Sequence, residues 1–381
     1  MHRTLYDAEH ESFRSAFRTF LERKAVPYID KWEAAGTPDR EFIREAGECG
    51  FLGFELDPDL GGLGINDFRY NAIMTEEVVA TNIAADLFSM QNDIILPYLR
   101  DLTTDEQRQR WHPPFAAGDL VVSLGLTEPE AGSDLAAIKT TARRDGDMLV
   151  LNGSKTFITS GATCDLAIVL TRTGERDGRG TTFVAVEAGT PGFERGRPMH
   201  KIGRKGQDTA ELFFDDCRVP ASNIVGEPGR GFAAAVGNLP RERLSIAVSG
   251  VASARHVLAL GLEHLTERVA FGKPLSDMQS IRMMLADLHI ETDILEAYVD
   301  RCVMALNDGQ LTAEEAAGVK AKATDLQWEV VDRVLQFFGG YGYMEETPIA
   351  RIWRDARIQR IYGGANEVML DLVGRRLVAR R

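Results

Sequence analysis

Two segments in the first half of the chain combine residue types that suit contact with a flat ligand. Residues 126–134 read LTEPEAGSD, and such a loop can point backbone N–H groups and hydroxyls at the hydrogen-bonding atoms of a ring. Phe157 and Thr159 lie on either side of Ile158, just before a Ser-Gly turn. An aromatic ring and a hydroxyl at this spacing could flank a planar group. On composition alone, a plain turn and a core phenylalanine with a capping threonine are the favoured interpretations of the two segments.

Two further segments lie in the second half and contain arginine or paired glycines. Arg268, Phe271 and Gln279 belong to RVAFGKPLSDMQ, whose Gly and Pro predict the end of one helix and the start of another. Arg268 is then expected in the last helical turn, where a cation complements the helix dipole. Gln336 precedes Gly339 and Gly340, a pair that would let a ligand approach the backbone closely.

The last two segments decide which residue could move a proton. Residues 361–367 read IYGGANE, so the tyrosine is followed by Gly363 and Gly364 rather than by a titratable side chain. Residues 238–244 read NLPRERL, and Pro240 suits the first turn of a helix, which predicts Glu242 near a helix start. The dipole there would lower the pKa of a carboxyl and burial would raise it. Without further information, Glu242 is an ordinary first-turn glutamate.

The elements that carry these segments change along the chain. Residues 1–118 show helical periodicity, as at Phe13, Phe17 and Phe20, and residues 226–381 show it over long stretches. Residues 119–225 contain short runs rich in β-branched and aromatic residues, separated by gaps too short for crossover helices. We therefore predict an α+β protein with an N-terminal helical domain, a central β-barrel or sandwich of antiparallel strands, and a C-terminal four-helix bundle.

Composition limits the classes of partner. The 381 residues carry a net charge of −13, which disfavours nucleic acid. Four separated cysteines and seven histidines without ligand spacing predict free thiols and no metal site. The first 20 residues resemble neither a signal nor a transit peptide, and charges interrupt every window long enough to span a bilayer. We expect no membrane span and a cytoplasmic protein, or an organelle-matrix protein if a transit peptide has been removed.

The segments together, in this order and spacing, resemble the acyl-CoA dehydrogenases along essentially the full chain. The resemblance implies bound FAD, with Thr127 and its loop on the flavin ring and Phe157 beside it, where many members have tryptophan. Arg268, Phe271 and Gln279 match an element that grips the cofactor of a neighbouring subunit. The implied FAD contacts are Leu126, Thr127, Gly132, Ser133, Phe157, Ile158, Thr159, Arg268, Phe271, Gln279, Gln336, Gly339, Gly340, Ala365, Asn366 and Glu367.

The resemblance also identifies the expected base. Many members carry glutamate at the position of Gly363, which cannot accept a proton. In the long-chain and isovaleryl members the glutamate lies on a long helix instead, at a position matched by Glu242. We expect Glu242 as the catalytic base, with Glu367 a distant second candidate and Glu128 serving its turn. The implied substrate contacts are Ser133, which touches CoA, Arg243, which also orients the base, Gly363 and Gly364.

The implied reaction is α,β-dehydrogenation of an acyl-CoA to the trans-2-enoyl-CoA, with hydride passing to flavin N5. An electron-transfer flavoprotein would take the electrons, and the chain would form a homo-oligomer, expected to be a tetramer. The small residues 233–235 and Gly237 suggest depth for a longer acyl chain. Two alternatives stay open: a flavin monooxygenase or oxidase on the same fold, and a catalytically silent acyl-CoA-binding subunit.

Overall fold

The computed structural model describes residues 3–83, 87–174 and 180–379. The N-terminal region is helical, and α1 shows why its sequence folds so. Asp7 caps the helix by accepting from the backbone N–H groups of Glu9 and His10, while Phe17 and Leu21 enter a buried aromatic cluster. The helices are α1 (Ala8–Lys24), α2 (Ile29–Ala35), α3 (Arg40–Glu48), α4 (Phe68–Ala80), α5 (Leu96–Leu102) and α6 (Asp105–Ala116). A π-helical stretch, Ser89–Ile95, leads into α5.

The middle region is a β-structure whose strands follow the order β6-β7-β3-β2-β4-β5-β8, with β1 beside β4. Most pairs are antiparallel, as predicted, but β1 runs parallel to β4. Two of the short β-branched runs within residues 119–225, at 148–152 and 156–159, belong to one strand. The strands are β1 (Val122–Gly125), β2 (Thr141–Asp145), β3 (Met148–Thr159), β4 (Leu166–Arg172), β5 (Thr181–Glu187), β6 (Phe193–Arg195), β7 (Thr209–Pro220) and β8 (Ile224–Val225).

Strand β4 joins the β-structure to the helices because both of its faces are buried. Ala167 and Val169 pack against β3 and β7 residues inside the β-domain. Leu166, Ile168 and Leu170 point the other way and pack with residues of α5 and α6. This alternation follows from the two-residue period of a strand, and it fixes the β-domain against the N-terminal helices.

The C-terminal region is the predicted bundle. It contains α7 (Gly231–Glu267), a hairpin of β9 (Val269–Ala270) and β10 (Lys273–Pro274), α8 (Gln279–Asn307), α9 (Ala313–Leu335), α10 (Pro348–Ala356) and α11 (Asn366–Ala379). Helices α7, α8 and α9 pack against one another, and α11 packs on α9. The contact between α7 and α9 is apolar, with Val251 and Val319 in one buried cluster and Val257 and Val334 in the next.

Helix α7 corrects two predictions. It begins at Gly231, and Pro240 lies inside it, so Glu242 lies well beyond the first turn. The apolar run after Gly231 extends the helix backwards because Ala235 gains a buried place against the β-domain. The helix also contains an 18-residue window apolar enough to cross a membrane, which the sequence analysis excluded. In the fold, 61% of that window is buried, as suits the central helix of a bundle.

Candidate functional site

A cavity of about 210 Å³ lies where the β-domain meets α7, the π-helical stretch and the loop after α10. It brings together segments that are more than 200 residues apart in sequence. Seven of the predicted site residues line it: Leu126, Thr127, Phe157, Ile158, Thr159, Glu242 and Gly363. The structure therefore places the predicted base beside the loop and the strand end that were predicted to hold the flavin ring.

Glu242 is buried in the wall of this cavity, with 7% of its surface exposed. Burial raises the pKa of its carboxyl to about 7, although the charge of Arg243 and a hydrogen bond from Tyr98 act in the opposite direction. The Tyr98 hydroxyl lies 3.4 Å from Oε1 of Glu242. A carboxyl group with this pKa can accept a proton at neutral pH. The competition that the sequence left open is settled by burial, since Glu242 is far from the helix start.

The loop containing Gly363 is tied to the bundle by two cations. The Nε of Arg243 donates to the carbonyl of Gly363 at 3.2 Å, and Nζ of Lys320 donates to the carbonyl of Gly364 at 2.8 Å. Burial of Lys320 lowers its pKa to about 8. Neither Gly364 nor Arg243 lines the cavity. Arg243 holds the loop next to Glu242 through its bond to Gly363.

The backbone at Gly363 explains why this position is small. Its φ is +64°, in the left-handed region, and a Cβ built there would lie 2.4 Å from Cδ1 of Ile246. Ile246 is one helical turn after Glu242 and also lines the cavity. A side chain at 363 would therefore require Cδ1 of Ile246 to move, and it would occupy a backbone conformation that glycine adopts most readily.

The loop that carries Thr127 is held from behind by a buried ion pair. Nζ of Lys155 contacts Oε1 of Glu128 at 2.8 Å and the carbonyl of Leu126 at 3.1 Å. The Glu128 carboxylate also accepts from the backbone N–H groups of Lys139 and Thr140, at 2.5 and 2.9 Å. The structure thus gives Glu128 the turn-holding position that was expected of it.

Phe157 lies at the mouth of the cavity in an unusual conformation. Its φ is +58°, which is rare for a non-glycine residue, and its side chain is 66% exposed. The neighbouring Thr156 N–H donates to the carbonyl of Thr127 at 2.9 Å, which joins this strand end to the Thr127 loop. An exposed aromatic ring at the edge of a cavity is an arrangement that a planar ligand would cover.

The remaining predicted residues lie outside the cavity. Arg268 is the C-cap of α7 rather than part of its last turn, because the chain turns extended at that residue to enter the β9–β10 hairpin. Phe271, in the turn of that hairpin, is 93% exposed. The other predicted contacts that are exposed and lie outside the cavity are Gly132, Ser133, Gln279, Gln336, Gly339, Gly340 and Glu367.

Asn366 is predicted to touch the cofactor, yet its side chain is buried and bonded within the protein. Its amide contacts Lys320, Thr324 and the carbonyl of Ala321. These bonds hold Ala365 and the glycine loop against α9. A contact of Asn366 or Ala365 with a ligand stays a prediction.

Sequence reasoning missed several residues of the site. Lys155 shares the inward parity of Leu149 and Leu151 on β3, a signal that could have marked it as a buried charge. Tyr98 and Ser245 reach the site from α5 and α7, and nothing in their sequence neighbourhoods indicates this. The small residues 233–235 and Gly237 do not line the cavity, and Gly237 is exposed.

Fold and site together define an α+β protein with a buried carboxyl group in a cavity between its domains, and the comparisons with known proteins specify the class. Domain profiles of the acyl-CoA dehydrogenases match in order: the N-terminal domain at residues 7–119, the middle domain at 123–217 and the C-terminal domain at 229–378. The long-chain specific acyl-CoA dehydrogenase of Rattus norvegicus mitochondria is 39% identical, over 99% of this chain and 88% of that protein.

Solved structures that resemble this chain are also acyl-CoA dehydrogenases. An acyl-CoA dehydrogenase from Geobacillus kaustophilus is 40% identical with a TM-score of 0.95, over 98% of both chains. A glutaryl-CoA dehydrogenase from Mycobacterium smegmatis in complex with FADH2 is 27% identical with a TM-score of 0.90, over 98% of this chain and 96% of that one. The chain belongs to the acyl-CoA dehydrogenase family, whose members depend on FAD.

The residues present fit that cofactor. Thr127 and Thr159 offer hydroxyls at the cavity, and the exposed ring of Phe157 lies beside them. The loop below Thr127 is fixed by the Lys155–Glu128 pair, so its hydrogen-bonding groups keep their positions before any ligand arrives. Of the described residues, no group of three or more His, Cys, Asp or Glu side chains could hold a metal ion.

Proposed function

We propose that this protein dehydrogenates saturated acyl-CoA thioesters and that Glu242 is the base that removes the α-proton. The observation that carries the proposal is the buried carboxyl of Glu242, which faces the same cavity as Thr127 and Phe157 and has a pKa raised to about 7. A base whose pKa is close to the working pH combines a useful ionised fraction with adequate proton affinity. A silent binding subunit would have no need for such a group.

The residues around the cavity divide the chemistry between them. Glu242 takes the α-proton, Arg243 keeps the Gly363 loop beside the base, and the apolar surroundings exclude water from the developing charge. Thr127, Phe157 and Thr159 would hold the isoalloxazine ring. Bound FAD supplies the acceptor for the hydride that leaves the β-carbon. Breaking the two C–H bonds in this way gives the trans-2-enoyl thioester.

The test compares two glutamates that were both candidates for the base. Glu242→Gln keeps the side-chain volume and is expected to lower turnover about 10²- to 10⁴-fold while FAD content stays unchanged. Glu367→Gln, at an exposed position outside the cavity, should retain normal turnover. The measurement is the rate at which acyl-CoA bleaches the flavin under anaerobic conditions, with thioesters of different chain length and branching. Normal bleaching by Glu242→Gln would refute the assignment.

We also propose that a second copy of the chain completes the FAD site. Arg268, Phe271 and Gln279 are exposed on the hairpin and the start of α8, and Gln336, Gly339 and Gly340 are exposed after α9. None of these residues lines the cavity, although the resemblance assigns all of them to the cofactor. This supports a homo-oligomer, expected to be a tetramer, in which they reach a neighbour's FAD. Light scattering on the wild-type protein measures its mass in solution. A monomer with full FAD content would refute the idea.

An electron-transfer flavoprotein is the proposed acceptor. One structural relative is described as the electron transferring flavoprotein of Acidaminococcus fermentans. It is 32% identical to this chain, with a TM-score of 0.89. The bleached protein should therefore transfer electrons to such a flavoprotein faster than to O₂. Rapid oxygen consumption with acyl-CoA alone would instead favour an oxidase or a monooxygenase.

A further inference from the structure

Tyr98 contacts the carboxyl of Glu242 from a different domain. It lies on α5, is completely buried, and its ring packs edge-on against Phe183 of β5 at 5.1 Å. Its hydroxyl lies 3.4 Å from Oε1 of Glu242. The side chain of Asn238, one helical turn before Glu242 on α7, also lies near the phenol and favours its ionised form. Two residues of α7 thus lie near a single hydroxyl that α5 delivers.

The direction of the bond between Tyr98 and Glu242 follows from the groups involved. The phenol carries a proton and an ionised carboxylate can only accept, so the Tyr98 hydroxyl donates to Oε1 of Glu242. Burial raises the pKa of Tyr98 well above its ordinary value, so the phenol remains a neutral donor throughout the pH range in which the carboxyl titrates. A donor of this kind favours the ionised carboxyl over the protonated one.

Other charged groups around this turn have different partners. Arg243, on α7 itself, donates to the carbonyl of Gly363. Lys320 of α9 holds the carbonyl of Gly364. Asp93, from the π-helical stretch, accepts from the hydroxyl of Ser245 on the next part of α7. By contrast, the hydroxyl of Tyr98 contacts the carboxyl of Glu242 itself.

We propose that Tyr98 is a positioning residue for the base: its hydroxyl orients the Glu242 carboxylate toward the cavity and stabilises the ionised form. The inference rests on the proposed function, since it assigns Tyr98 a role only if Glu242 takes the proton. This role for Tyr98 would connect α5 to the reaction, although α5 belongs neither to the Thr127 loop nor to the glycine loop.

The test is the pH profile of Tyr98→Phe, which removes the hydroxyl and keeps the ring against Phe183. Loss of the donor raises the pKa of Glu242, so the acidic limb of kcat should move upward by about one pH unit. At pH 6 the rate falls about tenfold, at pH 9 it equals that of the wild type, and KM for acyl-CoA is unchanged. Infrared difference spectra against Glu242→Gln should show the carboxyl titrating higher by the same amount.

Two more variants keep the result interpretable. Asn238→Ala should move the limb in the same direction by a smaller amount, and it serves as the test if Tyr98→Phe does not fold. Tyr70→Phe on α4, a buried tyrosine outside the cavity, should leave the profile where it is. A Tyr98→Phe profile identical to the wild type overturns this inference while Glu242→Gln remains inactive. Activity in Glu242→Gln would instead overturn the proposed function.

Discussion

The walls of the site contain two glutamates with nearly the same burial and opposite chemistry. Glu128 is 6% exposed and Glu242 is 7% exposed. Burial acts to raise the pKa of both, but at Glu128 the Lys155 ammonium at 2.8 Å and the donors at Thr140 and Lys139 together outweigh it and lower that pKa below its ordinary value. At Glu242 the phenol of Tyr98 and the charge of Arg243 oppose burial only in part, and the pKa rises to about 7.

Two carboxyls of similar exposure can therefore differ in chemistry, because their contacts with cations and N–H donors differ. Glu128 is ionised and fully engaged by Lys155 and two backbone N–H groups, so it stabilises a loop. Arg243 directs its Nε to the carbonyl of Gly363, which leaves Glu242 able to take and release a proton near neutral pH. Each of the following substitutions changes one of the features that distinguish Glu128 from Glu242.

Lys155→Met should give the largest change in stability. It leaves the Glu128 carboxylate buried without its cation, and breaking a buried pair in this way typically lowers the free energy of unfolding by about 3–5 kcal/mol. Lys139→Met is the matched control, because Lys139 pairs with Glu130 at the exposed surface and should change unfolding little. Chemical denaturation at pH 7 measures both. Equal effects of the two variants would contradict the comparison.

Glu242→Gln should stabilise the fold at alkaline pH. The pKa of Glu242 rises from its ordinary 4.5 to about 7 on folding, so the wild type loses stability as pH rises from the unfolded value through the folded one. The raised pKa lowers the free energy of unfolding of the wild type by about 3 kcal/mol, and this loss is complete above pH 7. Unfolding measured from pH 5 to pH 8 should show the advantage of Glu242→Gln growing over this window. A constant difference would mean that the carboxyl is not held at a raised pKa.

Moving the base to the glycine loop should produce the smallest effect. Glu242→Thr with Gly363→Glu alone should remain inactive, because the new side chain meets Ile246 and φ at 363 is +64°. Adding Ile246→Ala opens space, and turnover should recover about tenfold over Glu242→Thr, below the usual range for a well-placed base. The same triple variant with glutamine at 363 is the control. Equal rates for the two would show that position 363 does not face the α-carbon.

The local pattern predicted much of the fold because it depends on neighbours in sequence. Helical periodicity predicted the two helical regions, and short β-branched runs predicted the middle strands. Prediction was wrong where a distant contact overrode a local signal. Pro240 indicates a helix start, yet α7 continues back to Gly231 because Ala235 packs on the β-domain. The parallel pairing of β1 with β4 has no local signature either.

The same division holds within the site. The sequence by itself determined the family. It also predicted the Thr127 loop, the strand end at Phe157 and, because position 363 is glycine, Glu242 as the candidate base, since these are matters of residue type and order. Only the tertiary structure decided the proton affinity of that carboxyl. It depends on burial, on Tyr98 from α5 and on where Arg243 directs its charge, and electrostatic effects of this kind act through space between residues that the chain keeps far apart.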